Sequence, residues 1–130
     1  MFFSVEFRHP DEAVLARQDV QLREVVERIA GQMGLQHNVK QIFRYAPIAF
    51  DSDCVDVVRA SSEALGYSHR PMISGAGHDA CYLNCVAPTA MIFVPCVDGL
   101  SHNEAEDIHP HWATAGADVL LQAMLAKAGV

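Results

Sequence analysis

The sequence predicts an α/β fold, in which part of a parallel-sheet domain (a βαβ unit plus helices) follows half of a small α+β domain. The run Ala90–Pro95 is apolar without polar alternation, which is typical of a strand buried on both faces. A short extended piece, Pro71–Ser74, and a helix from Asp79 to about Cys85 precede this run. Strand, helix and strand in this order predict a βαβ unit with parallel strands. Residues 1–45 show a separate strand–helix–strand pattern.

The first pattern begins with Phe2–Arg8, where apolar and polar residues alternate as in a strand with one buried face. Asp11 is a plausible N-cap for a helix over residues 12–33, and Gly34 is a suitable stop. Val39–Tyr45 is the second strand candidate. This half of the chain has too few strands to complete a layer, so we expect a partial domain.

Pro47 marks the predicted boundary between a domain at residues 1–46 and a domain at residues 47–130. Asp51 or Ser52 caps a helix that Gly66 ends, and the βαβ unit follows. The last helix is predicted from about Pro110 to Lys127.

The loops after the two parallel strands should leave the sheet at the same edge. These loops are Ser74–Asp79 and Cys96–Glu106, and each contains a histidine. Ligands of open α/β sheets bind at this edge, outside the carboxyl ends of the strands. We therefore expect His78 and His102 to lie in one crevice.

Composition excludes several classes of partner. The net charge of −7 disfavours nucleic acid, and the longest apolar run is far too short to cross a bilayer. The N-terminus has no pattern of a signal peptide, so we expect a cytoplasmic protein. The four cysteines have no framework spacing and are expected to be free thiols.

Some residues of the two loops suit ligand binding, although each has a structural alternative. Gly75-Ala76-Gly77 precedes a helix start, where backbone N–H groups attract carboxylate or phosphate, but a tight turn explains the same pattern. His78 either bonds a ligand or satisfies a neighbouring carbonyl. His102, in a polar loop after a buried strand, suits a metal site or a solvated surface equally well.

Other candidates are weaker on pattern alone. Cys81 and Cys85 lie one helical turn apart and, with His78, have a soft-metal spacing, although buried cysteines usually serve as small apolar side chains. His109 and His111 favour a solvated turn. The guanidinium fork of Arg8 suits a carboxylate, whereas an exposed arginine at a strand end is the simpler interpretation.

Linked motifs then point to a family. Ser74–Ala80 reads SGAGHDA, Pro88–Pro95 reads PTAMIFVP and Gly99–Glu106 reads GLSHNEAE. These motifs resemble the C-terminal part of the M20 metallopeptidase-like amidohydrolases, above all the branch of N-carbamoyl-L-amino acid hydrolase, allantoate amidohydrolase and β-ureidopropionase. The opening FSVEFRHP, Phe3–Pro10, resembles a strand of that branch's smaller lid and dimerisation domain, with Glu6 in place of the usual aspartate.

The resemblance implies a hydrolase that cleaves a non-peptide C–N bond of an N-carbamoyl amino acid, a ureido acid or an allantoate-like substrate. Such enzymes use two divalent metal ions (zinc, manganese, cobalt or nickel) and a glutamate base. His102 matches a metal ligand, and Arg8 matches the residue that binds the substrate carboxylate. Gly75, Ala76, Gly77 and His78 match a segment lining the substrate pocket. Residues 1–46 would be a partial lid/dimerisation domain, and residues 47–130 the C-terminal part of the catalytic domain.

The resemblance also implies an incomplete catalyst. In the family the other metal ligands and the glutamate base lie upstream, and a catalytic metal needs about three protein ligands. We therefore expect no catalytic residue in this chain, no metal retained by the chain alone, and either a homo-oligomer or a missing N-terminal portion as its partner. Alternatives are a truncated, non-catalytic remnant that acts only in self-association, and a small metal-binding module built on His78, Cys81 and Cys85.

Overall fold

Helices make up the regular structure of the protein. The computed structural model describes residues 1–129. Its α-helices in this range are α1 (Glu12–Met33), α2 (Ser52–Ala64), α3 (Asp79–Leu83) and α4 (Pro110–Ala128), and a short 3-10 turn spans Val97–Gly99. None of these helices is both long and apolar enough to pass through a membrane.

The described residues form two compact units. The first consists of Met1–Ala49 together with Ile73–Ala76, and the second consists of Phe50–Met72 and the residues from Gly77 onwards. The βαβ prediction placed Pro71–Ser74 with the second half of the chain, whereas half of this segment, Ile73 and Ser74, groups with the first unit. The assignment of a lid domain and a catalytic domain, divided at residue 46, stays a prediction.

The structure differs from the sequence expectation in its strands. The segments predicted as strands (Phe2–Arg8, Val39–Tyr45, Pro71–Ser74 and Ala90–Pro95) have no strand structure in residues 1–129. A strand exists only when a neighbouring segment supplies a repeated ladder of backbone hydrogen bonds. Next to Ala90–Pro95 there is an isolated backbone hydrogen bond instead of a ladder, from the Asp51 N–H to the Thr89 carbonyl at 3.1 Å. The predicted parallel sheet is therefore not confirmed.

Helix α1 has the predicted ends because the residues at both ends satisfy its free backbone groups. The Asp11 carboxylate accepts a hydrogen bond from the Ala13 N–H at 2.8 Å. At the other end Gly34 takes the left-handed conformation at φ 64°, and its N–H bonds the carbonyls of Ala30 and Gly31. A side chain at φ 64° would be strained, which explains why a glycine ends the helix.

The second unit is built around the packing of α2 against α4. The Asp51 carboxylate caps α2 by accepting from the Cys54 N–H at 2.8 Å. Val119 and Ala123 of α4 are buried, and Gly116 lets this helix approach Val94 closely. A Cβ atom on residue 116 would lie 2.6 Å from Val94 Cγ1, so a larger residue does not fit there.

The apolar core of the described residues is small. It contains Ala30 of the first unit and Val119 and Ala123 of the second. Many large apolar side chains are exposed instead, among them Phe2 at 94% and Val86 at 83%. Soluble monomers rarely leave so much apolar surface exposed, and large exposed apolar patches often mark interaction surfaces.

Candidate functional site

Arg8 connects two segments of the first unit that the sequence analysis assigned separately to substrate binding. Its Nε donates to Glu6 Oε1 at 2.7 Å, and its Nη1 donates to the carbonyl oxygen of Gly75 at 2.5 Å. The two hydrogen bonds use two of the five N–H donors of an arginine. The structure therefore brings Arg8 and Gly75 together.

Glu6 and Arg8 stabilise each other's charged forms. The hydrogen bond from Arg8, and then its positive charge, lower the pKa of the Glu6 carboxyl below its ordinary value. The same hydrogen bond and charge raise the pKa of Arg8. Both side chains are largely exposed, at 58% for Arg8 and 69% for Glu6, so water and salt screen the pair. The guanidinium is thus a permanent, accessible cation with donors left for an anion.

The loop that follows Ile73 is ordered by its own serine. The Ala76 N–H donates to Ser74 Oγ at 3.1 Å, which is a serine turn. This N–H is consequently engaged within the loop, which weakens the prediction that it binds an anion. Gly75 and Gly77 have open space where a Cβ atom would lie, and neither takes a left-handed conformation.

His78 lies in the second unit, at the N-terminus of α3. Its backbone is extended, its side chain does not cap the helix, and its carbonyl accepts the Cys81 N–H at 2.9 Å. The imidazole packs edge-on against Phe93, with ring centroids 5.5 Å apart. The histidine thus contacts the apolar run Ala90–Pro95, and its role as a pocket-lining residue stays a prediction.

His102 lies in a left-handed turn held closed by a glutamate. Its φ of 57° is uncommon for a residue with a side chain, and such strain is often found at functional sites. The His102 N–H donates to Glu106 Oε2 at 2.9 Å, and the other oxygen of this carboxylate accepts from Cys96 Sγ at 3.6 Å. Glu106 therefore joins both ends of the loop while the His102 side chain stays exposed.

This carboxylate also affects the thiol beside it. Burial raises the pKa of Cys96, and the negative charge of Glu106 and its hydrogen bond raise it further. The thiol is therefore protonated at neutral pH and can donate to the carboxylate. Sequence reasoning included Glu106 in the motif but did not predict this contact.

The residues present do not form a complete metal site. Among residues 1–129, no group of three or more His, Cys, Asp or Glu side chains is arranged to hold a metal ion. His78, Cys81 and Cys85 are included in that statement, so the metal-binding module has no support. A catalytic metal requires about three protein ligands, and His102 alone does not satisfy this requirement.

The histidines near the start of α4 pack with an aromatic residue. His109 stacks on His111 with ring centroids 5.6 Å apart, and it contacts Trp112 at 4.5 Å. His109 is the N-cap residue of α4, and its side chain makes no capping hydrogen bond. Both histidines are exposed, which agrees with the solvated turn that the pattern favoured.

Comparison with known proteins identifies the family to which the chain belongs. The sequence model of peptidase family M20/M25/M40 matches residues 3–126. The chain therefore belongs to this family, whose members are generally metal-dependent. The match spans the Arg8, Gly75–His78 and His102 segments together, as the resemblance in sequence had implied.

Within this family, the chain is similar in sequence to individual amidohydrolases. The chain is 46% identical over 128 residues to an N-carbamoyl-L-amino-acid amidohydrolase of Rhizobium meliloti, covering 98% of this chain and 31% of the relative. It is 34% identical over 104 residues to an allantoate amidohydrolase of Escherichia coli, covering 80% of this chain and 25% of the relative. The chain thus spans less than a third of the length of either relative.

Solved structures of amidases also resemble the chain in backbone structure. The crystal structure of an amidase of the hydantoinase/carbamoylase family from Burkholderia multivorans superposes with a TM-score of 0.88 at 61% identity, covering 91% of this chain and 29% of that chain. A hydantoinase/carbamoylase family amidase from Burkholderia ambifaria superposes with a TM-score of 0.85 at 42% identity. The described backbone therefore corresponds to one portion of a larger amidase fold.

Proposed function

We propose that this chain forms the C-terminal part of a metal-dependent amidohydrolase that cleaves a non-peptide C–N bond in an N-carbamoyl amino acid, a ureido acid or an allantoate-like substrate. The observation that carries the proposal is the 46% identity, over 98% of the chain, to an N-carbamoyl-L-amino-acid amidohydrolase. Because the chain corresponds to 31% of that relative, the proposal concerns the activity of a larger assembly.

Arg8 is the proposed binding group for the substrate carboxylate. Its guanidinium is exposed, permanently charged and oriented by Glu6 and the Gly75 carbonyl, and it keeps further donors for an anion. Such a fork recognises a carboxylate by two parallel hydrogen bonds. The Gly75–His78 segment is proposed to line the pocket in which the rest of the substrate lies.

His102 is the proposed metal ligand of this chain. A neutral imidazole is a common ligand for zinc, manganese, cobalt or nickel. The left-handed turn at His102 fixes the position of its backbone, from which the imidazole extends. The described residues supply no three-ligand group, so the chain alone does not fit a catalytic metal. We therefore assign the remaining ligands and the general base to residues outside this sequence.

The test adds the portion of the Burkholderia multivorans amidase that the chain does not match, as a separate polypeptide, in the presence of a divalent metal. We expect hydrolysis of an N-carbamoyl-L-amino acid by the mixture and not by either part alone. Replacing the substrate carboxylate by a carboxamide should slow the unmodified mixture strongly, and it should have little effect with Arg8→Ala. Equal discrimination in both would remove the role of Arg8.

A second candidate is a non-catalytic role in self-association. The exposed apolar side chains of the first unit favour it, since Phe2 is 94% and Phe3 68% exposed. Sedimentation velocity separates the candidates. Stable homo-oligomers that show no hydrolysis after the missing portion is added would favour self-association, whereas turnover by the mixture would favour the hydrolase.

A further inference from the structure

The loop that carries His102 is closed by hydrogen bonds at two levels. At its base the Val97 N–H donates to the Asp107 carbonyl at 2.8 Å, which brings the two ends of the loop together. Above the base, the Glu106 carboxylate accepts from the His102 N–H at 2.9 Å and from Cys96 Sγ at 3.6 Å. One side chain thus connects the middle of the loop to its first residue.

A turn directly after His102 places the glutamate for this contact. The Glu106 N–H donates to the Asn103 carbonyl at 2.9 Å, which is the bond that closes a four-residue turn. The Asn103 side chain orders the same turn by accepting from the Ala105 N–H at 2.9 Å. The chain therefore reverses its direction here, and the Glu106 carboxylate returns to the backbone of His102.

The backbone of His102 needs such a contact because its conformation is unfavourable. Its φ of 57° lies in the left-handed region, where the Cβ atom comes too close to the following carbonyl oxygen. A hydrogen bond from its N–H to a charged acceptor offsets this cost, since such bonds are shorter and stronger than those between neutral groups. Without the acceptor, we expect residue 102 to return to negative φ.

A change of φ at residue 102 would redirect its side chain. Rotation about the N–Cα bond turns the Cα–Cβ bond relative to the preceding chain, so the imidazole would leave the loop in another direction. The His102 side chain is exposed, which means that its backbone, rather than tight packing by neighbours, determines where the ring lies. Control of φ at this residue is therefore control of the imidazole.

We infer that Glu106 is the positioning residue for His102. Its carboxylate holds residue 102 in the left-handed conformation and fixes the direction of the imidazole, while Cys96 holds the carboxylate from the other side. The inference rests on the proposed function, in which His102 is the functional side chain of this loop, and it adds the residue that orients this side chain.

NMR spectroscopy of this chain, labelled with isotopes, tests the inference directly. A residue with positive φ has its amide proton close to its own α proton, so His102 should show a strong nuclear Overhauser effect between the two. Hydrogen exchange of the His102 N–H reports its bond to the carboxylate. Glu106→Ala removes the acceptor, and Glu106→Gln keeps an acceptor oxygen without the charge.

Glu104→Ala is the matched control. Glu104 is an exposed acidic residue of the same loop, and the bonds from Cys96 and the His102 N–H go to Glu106 instead. The control removes the same charge from the loop, so it separates the specific contact from a general effect of charge.

We expect Glu106→Ala to weaken the Overhauser effect at His102 and to speed exchange of its N–H by about tenfold or more. Glu106→Gln should retain part of both signals, and Glu104→Ala should change the exchange rate by less than about twofold. Circular dichroism should be unchanged, which distinguishes a positioning role from unfolding. If His102 keeps its positive φ and slow exchange in Glu106→Ala, or if Glu104→Ala has the same effect, the inference is wrong.

A second pair of variants tests the part assigned to Cys96. Cys96→Ser keeps a donor for the Glu106 carboxylate, whereas Cys96→Ala has none. Cys96→Ala should speed exchange of the His102 N–H more than Cys96→Ser does, and less than Glu106→Ala does, because a thiol donates only a weak hydrogen bond. Equal exchange rates in the two Cys96 variants would overturn this part.

A chimera gives an independent measurement if a variant of the chain alone does not fold. This chain replaces its matched segment in the intact Burkholderia multivorans amidase, and crystal structures of the chimera with and without Glu106→Ala report φ at residue 102. A positive φ that becomes negative in the variant supports the inference, and a positive φ in both overturns it.

Turnover by the chimera separates this inference from the proposed function. Displacement of a functional side chain by about 1 Å can cost about a hundredfold in rate, so Glu106→Ala should lower kcat while Glu104→Ala leaves it nearly unchanged. A chimera that hydrolyses nothing, although φ at residue 102 depends on Glu106, would refute the proposed function alone. Undiminished kcat in Glu106→Ala would overturn the positioning role.

Discussion

Gly116→Ala should destabilise the second unit although alanine is the better helix former. A Cβ atom at residue 116 would lie 2.6 Å from Val94 Cγ1, a distance that real Cβ atoms essentially never show. Valine is branched at Cβ, which restricts its side-chain rotation, so its methyl group does not move away easily. Either α4 or the segment that carries Val94 has to shift.

Two opposing effects determine the size of the change. Replacing glycine by alanine within a helix stabilises by roughly 0.5–1 kcal/mol. Adding a methyl group to a packed contact costs about 1–3 kcal/mol. The net effect of Gly116→Ala is therefore a destabilisation of about 0–2.5 kcal/mol.

Gly31→Ala in α1 is the matched control, because a Cβ atom there meets nothing within 4 Å. It should stabilise by roughly 0.5–1 kcal/mol. Urea unfolding followed by circular dichroism gives both free energies, and the difference between them measures the contact. Adding Val94→Ala should turn the effect of Gly116→Ala into a stabilisation. If Gly116→Ala alone stabilises as much as Gly31→Ala, the proposed close packing of α4 on Val94 is refuted.

Further predictions concern ionisable groups. The carboxylate of Asp51 accepts hydrogen bonds from backbone N–H groups at the start of α2, which lowers its pKa below the ordinary value of 3.8. Its contribution to stability is therefore complete above the unfolded pKa and is lost as pH falls through the folded pKa. In urea unfolding at several pH values, Asp51→Asn should reduce this loss of stability at acid pH. Tyr67 donates to Asp118 Oδ2 at 2.8 Å, and this bond raises the pKa of Tyr67 above 10.0, so its contribution is present below the unfolded pKa and lost as pH rises through the folded pKa. Ultraviolet titration should find a lower tyrosine pKa in Asp118→Asn, and an unchanged titration would contradict the hydrogen bond. Glu6→Ala should speed hydrogen exchange at Arg8 Nε, measured by nitrogen NMR, and equal exchange rates would show that the pair does not form in solution.

The helices could be predicted from sequence because their signals are local. Asp11 caps α1 and Gly34 ends it as predicted, and Asp51 caps α2 through a bond to a backbone N–H three positions away. These contacts join residues within one turn of each other, so a short window of sequence contains both partners. The last helix ends at Ala128, one residue beyond the predicted Lys127, which is within the uncertainty of helix ends.

Strands and long-range contacts could not be predicted in the same way. The apolar run Ala90–Pro95 indicates a buried strand, but burial and pairing require partners that a local pattern does not contain. The bond from Arg8 to the Gly75 carbonyl joins residues 67 positions apart. Only family resemblance linked these two residues before the structure did. The contact of Glu106 with His102 is more local, because the two residues lie four positions apart in one polar loop. The sequence thus contained a weak indication of this contact, which an acidic side chain near a backbone N–H group provides.

The first unit is discontinuous in sequence, and this has a practical consequence. Residues 73–76 belong to it although they follow a stretch assigned to the second unit. An expression boundary placed after Ala49 would remove Gly75 and, with it, the carbonyl that Arg8 bonds. A version of this unit produced alone therefore has to include residues 73–76, for example joined through a linker, before its affinity for anions is measured.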